Sequence, residues 1–418
     1  MLHVVTLLVT ALPLIAPSQT SATTPVGTLP DWRSADRLVA EFEPQSAILI
    51  AWAFDDEDVQ ATQVAIVQEL RRTVDVLVMV PPGYVSDARA TLRAVLRSSS
   101  RVHIVETGFD TLWVRDYGPQ VLVSGGRPRL LDFHYSDDRP LDDQIPGIIG
   151  SRLGVPVDES AIALDGGNLL TNGRGLVVAT QSVLLDNAAR WNTEEEAERG
   201  LAAELSARQV LLLEPLLGEP TSHVDMFATF TDSRTVIVGQ YDPSVEPVNA
   251  AVLDRNAVRL SMVATPQGRL RVLRIPMPPP VNDVWYSFTN VIYANGVVLV
   301  PRYENVADDH DRRAVAVFKR ALPGWKVRRI DSEPLIQCAG ALHCATLNLA
   351  KPDGPTWRLL GRSESVGHAD LQWQTAVPRK RVQRIPSEFY SSRFPRPFPP
   401  LAGTAGRVKA NSRSRPRR

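Results

Sequence analysis

The chain has 418 residues, 44% of them hydrophobic and 22% charged, with 46 Lys+Arg against 46 Asp+Glu. That composition suits one large globular domain or two ordinary ones and excludes a disordered or fibrous protein. A formal net charge of zero gives no electrostatic reason to expect a nucleic-acid partner.

Residues 4–16 form an apolar run that is too short to cross a bilayer, for which about 20 residues are needed. Small residues follow, with Thr20-Ser21-Ala22 as a cleavage site, so residues 1–22 read as a secretory signal peptide and predict a secreted or periplasmic protein. The alternative is an apolar N-terminal extension, since His3 is the only residue of basic type ahead of the run. No other apolar run is long enough for a transmembrane segment. Residues 18–30 read as a flexible lead. Residues 47–52 are a continuous apolar run of buried-strand type. Residues 59–72 carry helical spacing, with Val64, Val67 and Leu70 on one face. Residues 74–80 predict a strand ending at Pro81-Pro82, residues 87–97 a second amphipathic helix capped by Ser86, and residues 102–105 another strand. Strand, helix, strand, helix, strand is the order of an α/β fold.

Apolar hairpins then recur, each with a Gly, Asn or Asp turn. Residues 121–123 lead into Ser124-Gly125-Gly126, and residues 168–170 and 176–179 flank Thr171-Asn172-Gly173-Arg174-Gly175. Residues 225–230 and 235–238 flank Thr231-Asp232-Ser233, and residues 291–293 and 297–300 flank Ala294-Asn295-Gly296. Asn-Gly is a strong hairpin signal. In each unit a polar island sits at the start of the first strand, so repeats set about an axis would gather the islands at one centre. An ordinary mixed sheet with coincidental hairpins is the alternative. Residues 356–377 read as a C-terminal extension of undetermined structure. Residues 378–418 hold twelve Lys or Arg and one acid, Glu388, and read as a solvated, disordered basic tail, contact with an anionic surface being the alternative.

The islands are Trp113-Val114-Arg115-Asp116, Ser222-His223-Val224-Asp225, Ser287-Phe288-Thr289-Asn290 and Gly340-Ala341-Leu342-His343-Cys344. A thiol, an imidazole and two acids suit covalent chemistry on a cationic carbon: the thiolate attacks, the imidazole moves protons and the carboxylates hold positive charge. His223 and Asp225, two apart in a strand-like segment, should share one face. Asp116 falls at a strand–turn junction before Gly118-Pro119, facing a cleft or forming a surface pair with Arg115. Leu164-Asp165-Gly166-Gly167-Asn168 sets two glycines beside an acid, for close backbone approach or for a plain turn. Zinc-type spacings such as Cys-x-x-Cys or His-Glu-x-x-His do not occur, so no metal is expected. A Cys338–Cys344 bridge would close a very short loop, and a free thiol at Cys344 is expected. A thiol protease would call for an oxyanion hole where these acids stand.

In this order, Trp113-Val114-Arg115-Asp116-Tyr117-Gly118-Pro119, Gly166-Gly167-Asn168, His223-Val224-Asp225, Ser287-Phe288-Thr289-Asn290 and Gly340-Ala341-Leu342-His343-Cys344 resemble the bacterial (Porphyromonas-type) peptidylarginine deiminase and agmatine deiminase family, over roughly residues 41–349. The resemblance implies a pentein domain over residues 31–355, a five-bladed α/β propeller of ββαβ-type repeats. It implies hydrolysis of a guanidinium to a ureido group and ammonia, without an organic cofactor. Carried over by position, Cys344 resembles the nucleophile, Asp116 and Asp225 the acids that hold the guanidinium, and His223 the general acid and base. Asn290 matches a residue near the thiol and Trp113 an aromatic wall of the pocket. Gly167 and Asn168 join the substrate-binding set; Trp113 to Pro119 and His223 to Asp225 resemble the agmatine branch, while Tyr117, Asn168 and Ser287 to Asn290 look more like the protein-arginine branch. Tyr135-Ser136-Asp137-Asp138-Arg139-Pro140 resembles a stretch supplying two arginines for a peptide C-terminal carboxylate. Arg139 fits one of them, and Asp137 stands in place of the other, where an acid would favour an amine. Together with export, the resemblance implies an arginyl peptide or protein as substrate, with agmatine or another small guanidine as the alternative and an inactive binding module as a third.

Overall fold

Two strands from opposite ends of the chain lie side by side: Gln45–Ala51 pairs antiparallel with Thr346–Ala350, Leu349 opposite Ala47. This computed structural model describes residues 36–96, 101–266, 268–350 and 364–365. On its other edge Gln45–Ala51 runs parallel to Asp75–Val80, which runs parallel to Val102–Glu106. Parallel neighbours need crossovers, and the helices Glu57–Leu70 and Val85–Val95 supply them. The centres of the first two strands are unbroken apolar runs because both faces are covered: Ile48, Leu49, Ile50, Val76, Leu77 and Val78 are all buried. The first helix begins where the Asp56 carboxylate accepts the N–H groups of Asp58 and Val59. The second begins earlier than predicted. The Tyr84 N–H closes a turn onto the Pro81 carbonyl, the helix grows from it, and Ser86 falls inside the first turn instead of capping it.

The same plan recurs: an antiparallel hairpin, a helix, and a third strand parallel to the second. Gln120–Ser124 and Arg127–His134 take Val157–Ala163. Leu170–Thr171 and Leu176–Thr180 take Gln209–Leu213. Ala228–Asp232 and Thr235–Gln240 take Arg271–Pro276. Ile292–Ala294 and Val297–Arg302 take Lys326–Asp331. The crossovers hold the helices Ile145–Leu153, Glu194–Glu204, Pro247–Met262 and Asp308–Ala321. The fold is α/β, as predicted, and among the described residues no sheet closes on itself.

The starts of the units position the site. A short polar turn precedes each first strand: the helical turn Val114–Tyr117, the 3-10 turns Gly166–Asn168 and Val224–Met226, a bend at residues 288–289 and a turn at residues 342–345. The predicted strand placement of His223 and Asp225 is therefore wrong. The buried Glu219 carboxylate accepts the N–H groups of Thr221 and Ser222, Ser222 takes a φ of 58°, and the strand starts only at Ala228. Asp116 likewise lies within a helical turn, its N–H bonded to the Trp113 carbonyl.

The predicted signal peptide, the lead at residues 18–30 and the basic tail at 378–418 lie outside the described residues. Of the extension at 356–377, Glu364–Ser365 pairs antiparallel with Val102–Glu106. Among the described residues no helix is long and apolar enough to cross a membrane.

Candidate active site

Cys344 is 4% exposed and unbridged. The loop that carries Cys344 is fastened by Asn290. Its Oδ1 accepts the N–H of His343 at 2.8 Å and of Cys344 at 3.3 Å. Its Nδ2 donates to Cys344 Sγ at 3.2 Å and to Asp225 Oδ2 at 3.1 Å. One amide thus ties thiol, backbone and acid together, leaving Sγ 3.8 Å from Asp225 Oδ2. Trp113 is buried against the same loop, so close that a Cβ on Gly340 would lie 2.3 Å from its ring.

Gly167 is the crossing point of the charged groups. A Cβ there would lie 2.6 Å from His223 Nδ1, 2.7 Å from Asp116 Oδ1 and 3.3 Å from Asp225 Oδ2. Bare backbone lets three ionisable side chains from two other units converge. His223 Nδ1 is 3.6 Å from Asp116 Oδ1, and Nε2 is 3.2 Å from Asp165 Oδ2. Cys344, His223, Asp116 and Asp225 are therefore gathered at one place, with Asn290, Trp113 and Gly167 around them. Asn168, expected among the substrate-binding residues, is instead committed to protein. Its Oδ1 accepts the N–H of Thr180 and Val224, and its Nδ2 donates to Ser182 Oγ, tying the glycine turn to the turn after His223. Arg139 is buried and donates to Tyr135 Oη at 2.8 Å. Burial first, and then the charge of Asp116, push the Tyr135 phenol well above its usual range, so this pair borders the acids. Asp137 is 96% exposed and 3.8 Å from His134, away from the buried groups.

Burial, more than any neighbour, lifts the Asp116 carboxyl to about 7, with Asp165 and Asp225 adding to it and His223 and Arg115 opposing. For His223 burial disfavours the charge, yet Asp116, Asp165 and Asp225 outweigh it and raise the imidazole to about 10, so the ring is cationic at neutral pH. Burial, then Asp225 and Asp116, push the Cys344 thiol well up, so the resting sulfur keeps its proton. Oδ1 of Asp116 and Oδ1 of Asp225 are both buried with no hydrogen-bond partner among the described residues. Two unsatisfied acceptors beside a thiol make a place for a cation rich in N–H donors. Among the described residues no group of three or more His, Cys, Asp or Glu could hold a metal ion.

Four further residues complete the arrangement. Asp165, read in sequence as an acid in a turn, contacts His223. Arg115 is 2% exposed and forms no surface pair with Asp116; its Nη1 meets Glu41 Oε1 at 2.6 Å, its Nε donates to the Thr346 carbonyl, and its N–H holds the Cys344 carbonyl. His343 Nδ1 meets Asp225 Oδ2 at 2.8 Å, and Nε2 meets Glu41 Oε1 at 2.8 Å. His343 had a signal, standing next to the thiol, whereas Glu41 lies 302 positions away and had none.

The family model described as Porphyromonas-type peptidyl-arginine deiminase matches residues 37–349. A Photobacterium profundum protein named "Putative agmatine deiminase" is 24% identical over 359 residues, covering 75% of this chain and 96% of that one. Among solved structures, the "Putative Arginine Deiminase from Porphyromonas gingivalis" superposes with a TM-score of 0.67 at 26% identity, over 76% of this chain and 99% of its own. The agmatine deiminase of Enterococcus faecalis gives a TM-score of 0.67 at 21% identity over 78% and 98%, a likeness of fold.

Proposed function

The chain belongs to the Porphyromonas-type peptidyl-arginine deiminase family, hydrolases of the C–N bonds of linear amidines, and we propose on that premise that it deiminates a small guanidine of the agmatine type through a covalent adduct on Cys344. The observation that carries the reading is the pair of buried carboxylate oxygens, Oδ1 of Asp116 and Oδ1 of Asp225, that accept no hydrogen bond among the described residues at the site of the thiol. A planar guanidinium offers them N–H donors and a positive charge, and fixing it there holds its carbon near Sγ.

The charge balance makes activation depend on substrate. Without substrate, burial and then the two acids hold the proton on sulfur. A bound cation offsets that field, the thiol releases its proton to solvent, and the thiolate attacks the guanidinium carbon. His223, already an imidazolium, gives its proton to the departing nitrogen. Ammonia leaves, and the carbon stays on sulfur as a thiouronium. Water then adds, His223 takes one of its protons, and collapse releases the ureido product while the hydroxyl proton passes to the departing sulfur, restoring the thiol. Asp165, on the ring's other nitrogen, orients the imidazole for both steps. The repeated hairpin units are in this reading five blades about one axis, with their leading turns at the centre.

Substrate size limits the candidates. The side chains of Asp225 and His223 are 2% and 6% exposed, so only a narrow head group on a thin stem can enter. An arginine side chain and agmatine both meet that requirement, and the relatives named as agmatine deiminases favour the small guanidine. A chain-terminal arginine is the second reading, kept because buried Arg139 borders the acids and could face a carboxylate. Ammonia release by the purified chain from agmatine, free arginine, C-terminal-arginine peptides and internal-arginine peptides tests this. Agmatine should lead by about tenfold or more in kcat/KM. Preference for a C-terminal-arginine peptide would install the second reading, and silence on all four would refute deimination. Cys344→Ala should lose about a thousandfold or more in rate while still unfolding cooperatively.

A further inference from the structure

We infer that His343, clamped between Asp225 and Glu41, is a positioning residue that fixes Asp225 for the guanidinium; the inference rests on the deiminase reading above. Both ring nitrogens face carboxylates: Nδ1 lies 2.8 Å from Asp225 Oδ2, and Nε2 lies 2.8 Å and 2.9 Å from the two oxygens of Glu41. A neutral imidazole has a single N–H and would point a lone pair at one of these anions. A doubly protonated ring satisfies both. Glu41 is the fixed end of the clamp. Burial works to raise its carboxyl, but Arg115 at 2.6 Å, together with His343, brings it down to about 2. Arg115, Glu41, His343 and Asp225 are thus a row of alternating charge, the four side chains 3%, 20%, 4% and 2% exposed. Little water reaches this row to screen it.

The clamp acts on the carboxylate at the reaction centre. Asp225 Oδ2 takes the hydrogen bonds from His343 Nδ1 and Asn290 Nδ2 and lies 3.8 Å from the thiol, while Oδ1 is buried and unengaged. With Oδ2 held from two sides the carboxylate cannot rotate, and Oδ1 stays available to an incoming N–H. His343 is also the chain neighbour of Cys344, and its N–H shares Asn290 Oδ1 with the Cys344 N–H. Clamping the ring therefore holds acid and sulfur in one register. His343 acts through Asp225, and the catalytic steps make no use of its proton.

Two readouts test this. In the full chain with 15N-labelled histidine, the His343 signal, assigned by its loss in His343→Gln, should show both ring nitrogens protonated at about pH 8, and Glu41→Gln should remove one of those protons. A ring that is neutral in the wild type overturns the clamp. In ammonia release from agmatine, His343→Gln should lower kcat/KM about a hundredfold, with KM raised about tenfold. Glu41→Gln, isosteric and on the side of His343 away from Asp225, should lower kcat/KM about tenfold, with a lower thermal midpoint because Arg115 loses its ion pair, and still unfold cooperatively. Both variants within about twofold of the wild type would overturn the positioning role. If His343→Gln does not fold, Glu41→Gln decides alone. A wild type inactive on every guanidine would count against the proposed function, and the NMR readout would still judge the clamp.

Discussion

Gly167 shows how little room the reacting groups have. Any side chain at this position points at His223 Nδ1 and Asp116 Oδ1, both under 3 Å from a Cβ. Gly167→Ala must push the imidazole and the acid apart. It should lower kcat/KM about a hundredfold, since displacements of about 1 Å suffice for that. The stability loss should be about 1–3 kcal/mol, typical of overpacking. Ammonia-release kinetics and urea unfolding would measure the two, and an alanine variant with wild-type kcat/KM would show that the turn yields. Residues of this kind were legible in sequence because their motifs are local and ordered: Asp116, Gly167, His223, Asp225, Asn290 and Cys344 each stand in a polar island between apolar strands. Glu41 was not, and Arg115, though it stands in an island, was legible without its partner. Their partners lie across the chain, Glu41 being 302 positions from His343, and a long-range ion pair leaves no periodicity in the sequence. Asn168 was legible as a residue and misread in use, because two glycines beside an amide look the same whether the amide faces a ligand or three neighbours in the protein.

Among the elements, side-chain amides stand in for missing strands at the joints. Asn256 accepts the Glu214 N–H and donates to its carbonyl, at 3.0 Å and 2.8 Å. Asn249 does the same for Leu217, Asn187 for Ala163 and Asn295 for Gln45. Asn249 and Asn256, on the helix Pro247–Met262, thus pin the segment that leads from Gln209–Leu213 toward His223. Asn256 is fully buried and far in sequence from any island. Asn256→Ala leaves the half-buried Glu214 N–H and carbonyl without their partner, at about 1–2 kcal/mol each. Chemical unfolding should register a loss of about 2–4 kcal/mol, with KM for agmatine changed by less than about twofold. A large change in KM would mean that the segment, and not only its stability, depends on the joint. Strands were the easiest elements to foresee, since burial on both faces writes them as unbroken apolar runs. Helices with weak amphipathicity were harder. Glu194–Glu204 carried a start signal of another kind: Thr193 Oγ1 accepts the Glu196 N–H while Glu196 reaches back to the Asn192 N–H, close to a capping box. The error at His223 came from Glu219, a buried acid whose hold on two N–H groups outweighs an alternating pattern that otherwise spells a strand.

Across the whole molecule the charges cancel, 46 against 46, yet their placement makes stability strongly pH-dependent. His223 rises from its ordinary 6.5 to about 10. Between those values the folded chain holds a proton that the unfolded chain has lost, so this stabilisation is complete below about pH 6.5 and drains away toward pH 10. Asp116, lifted from 3.8 to about 7, acts in the same sense at lower pH, because the fold favours its neutral form and stability falls as the group ionises. Glu41 is opposite: lowered from 4.5 to about 2, it contributes above 4.5 and is lost as the pH falls toward 2. Urea unfolding across a pH series should therefore decline on both sides of mildly acidic pH. His223→Asn should flatten the alkaline limb, and Glu41→Gln the acid one. The alkaline decline should also be the part a substrate repairs. A guanidinium replaces, as positive charge, the proton that Asp116 gives up near 7. In Cys344→Ala, which binds without turning over, agmatine should raise the unfolding midpoint more at about pH 8 than at about pH 6. Equal shifts at the two values would mean that the cation does not sit against Asp116, and would move the guanidinium site elsewhere.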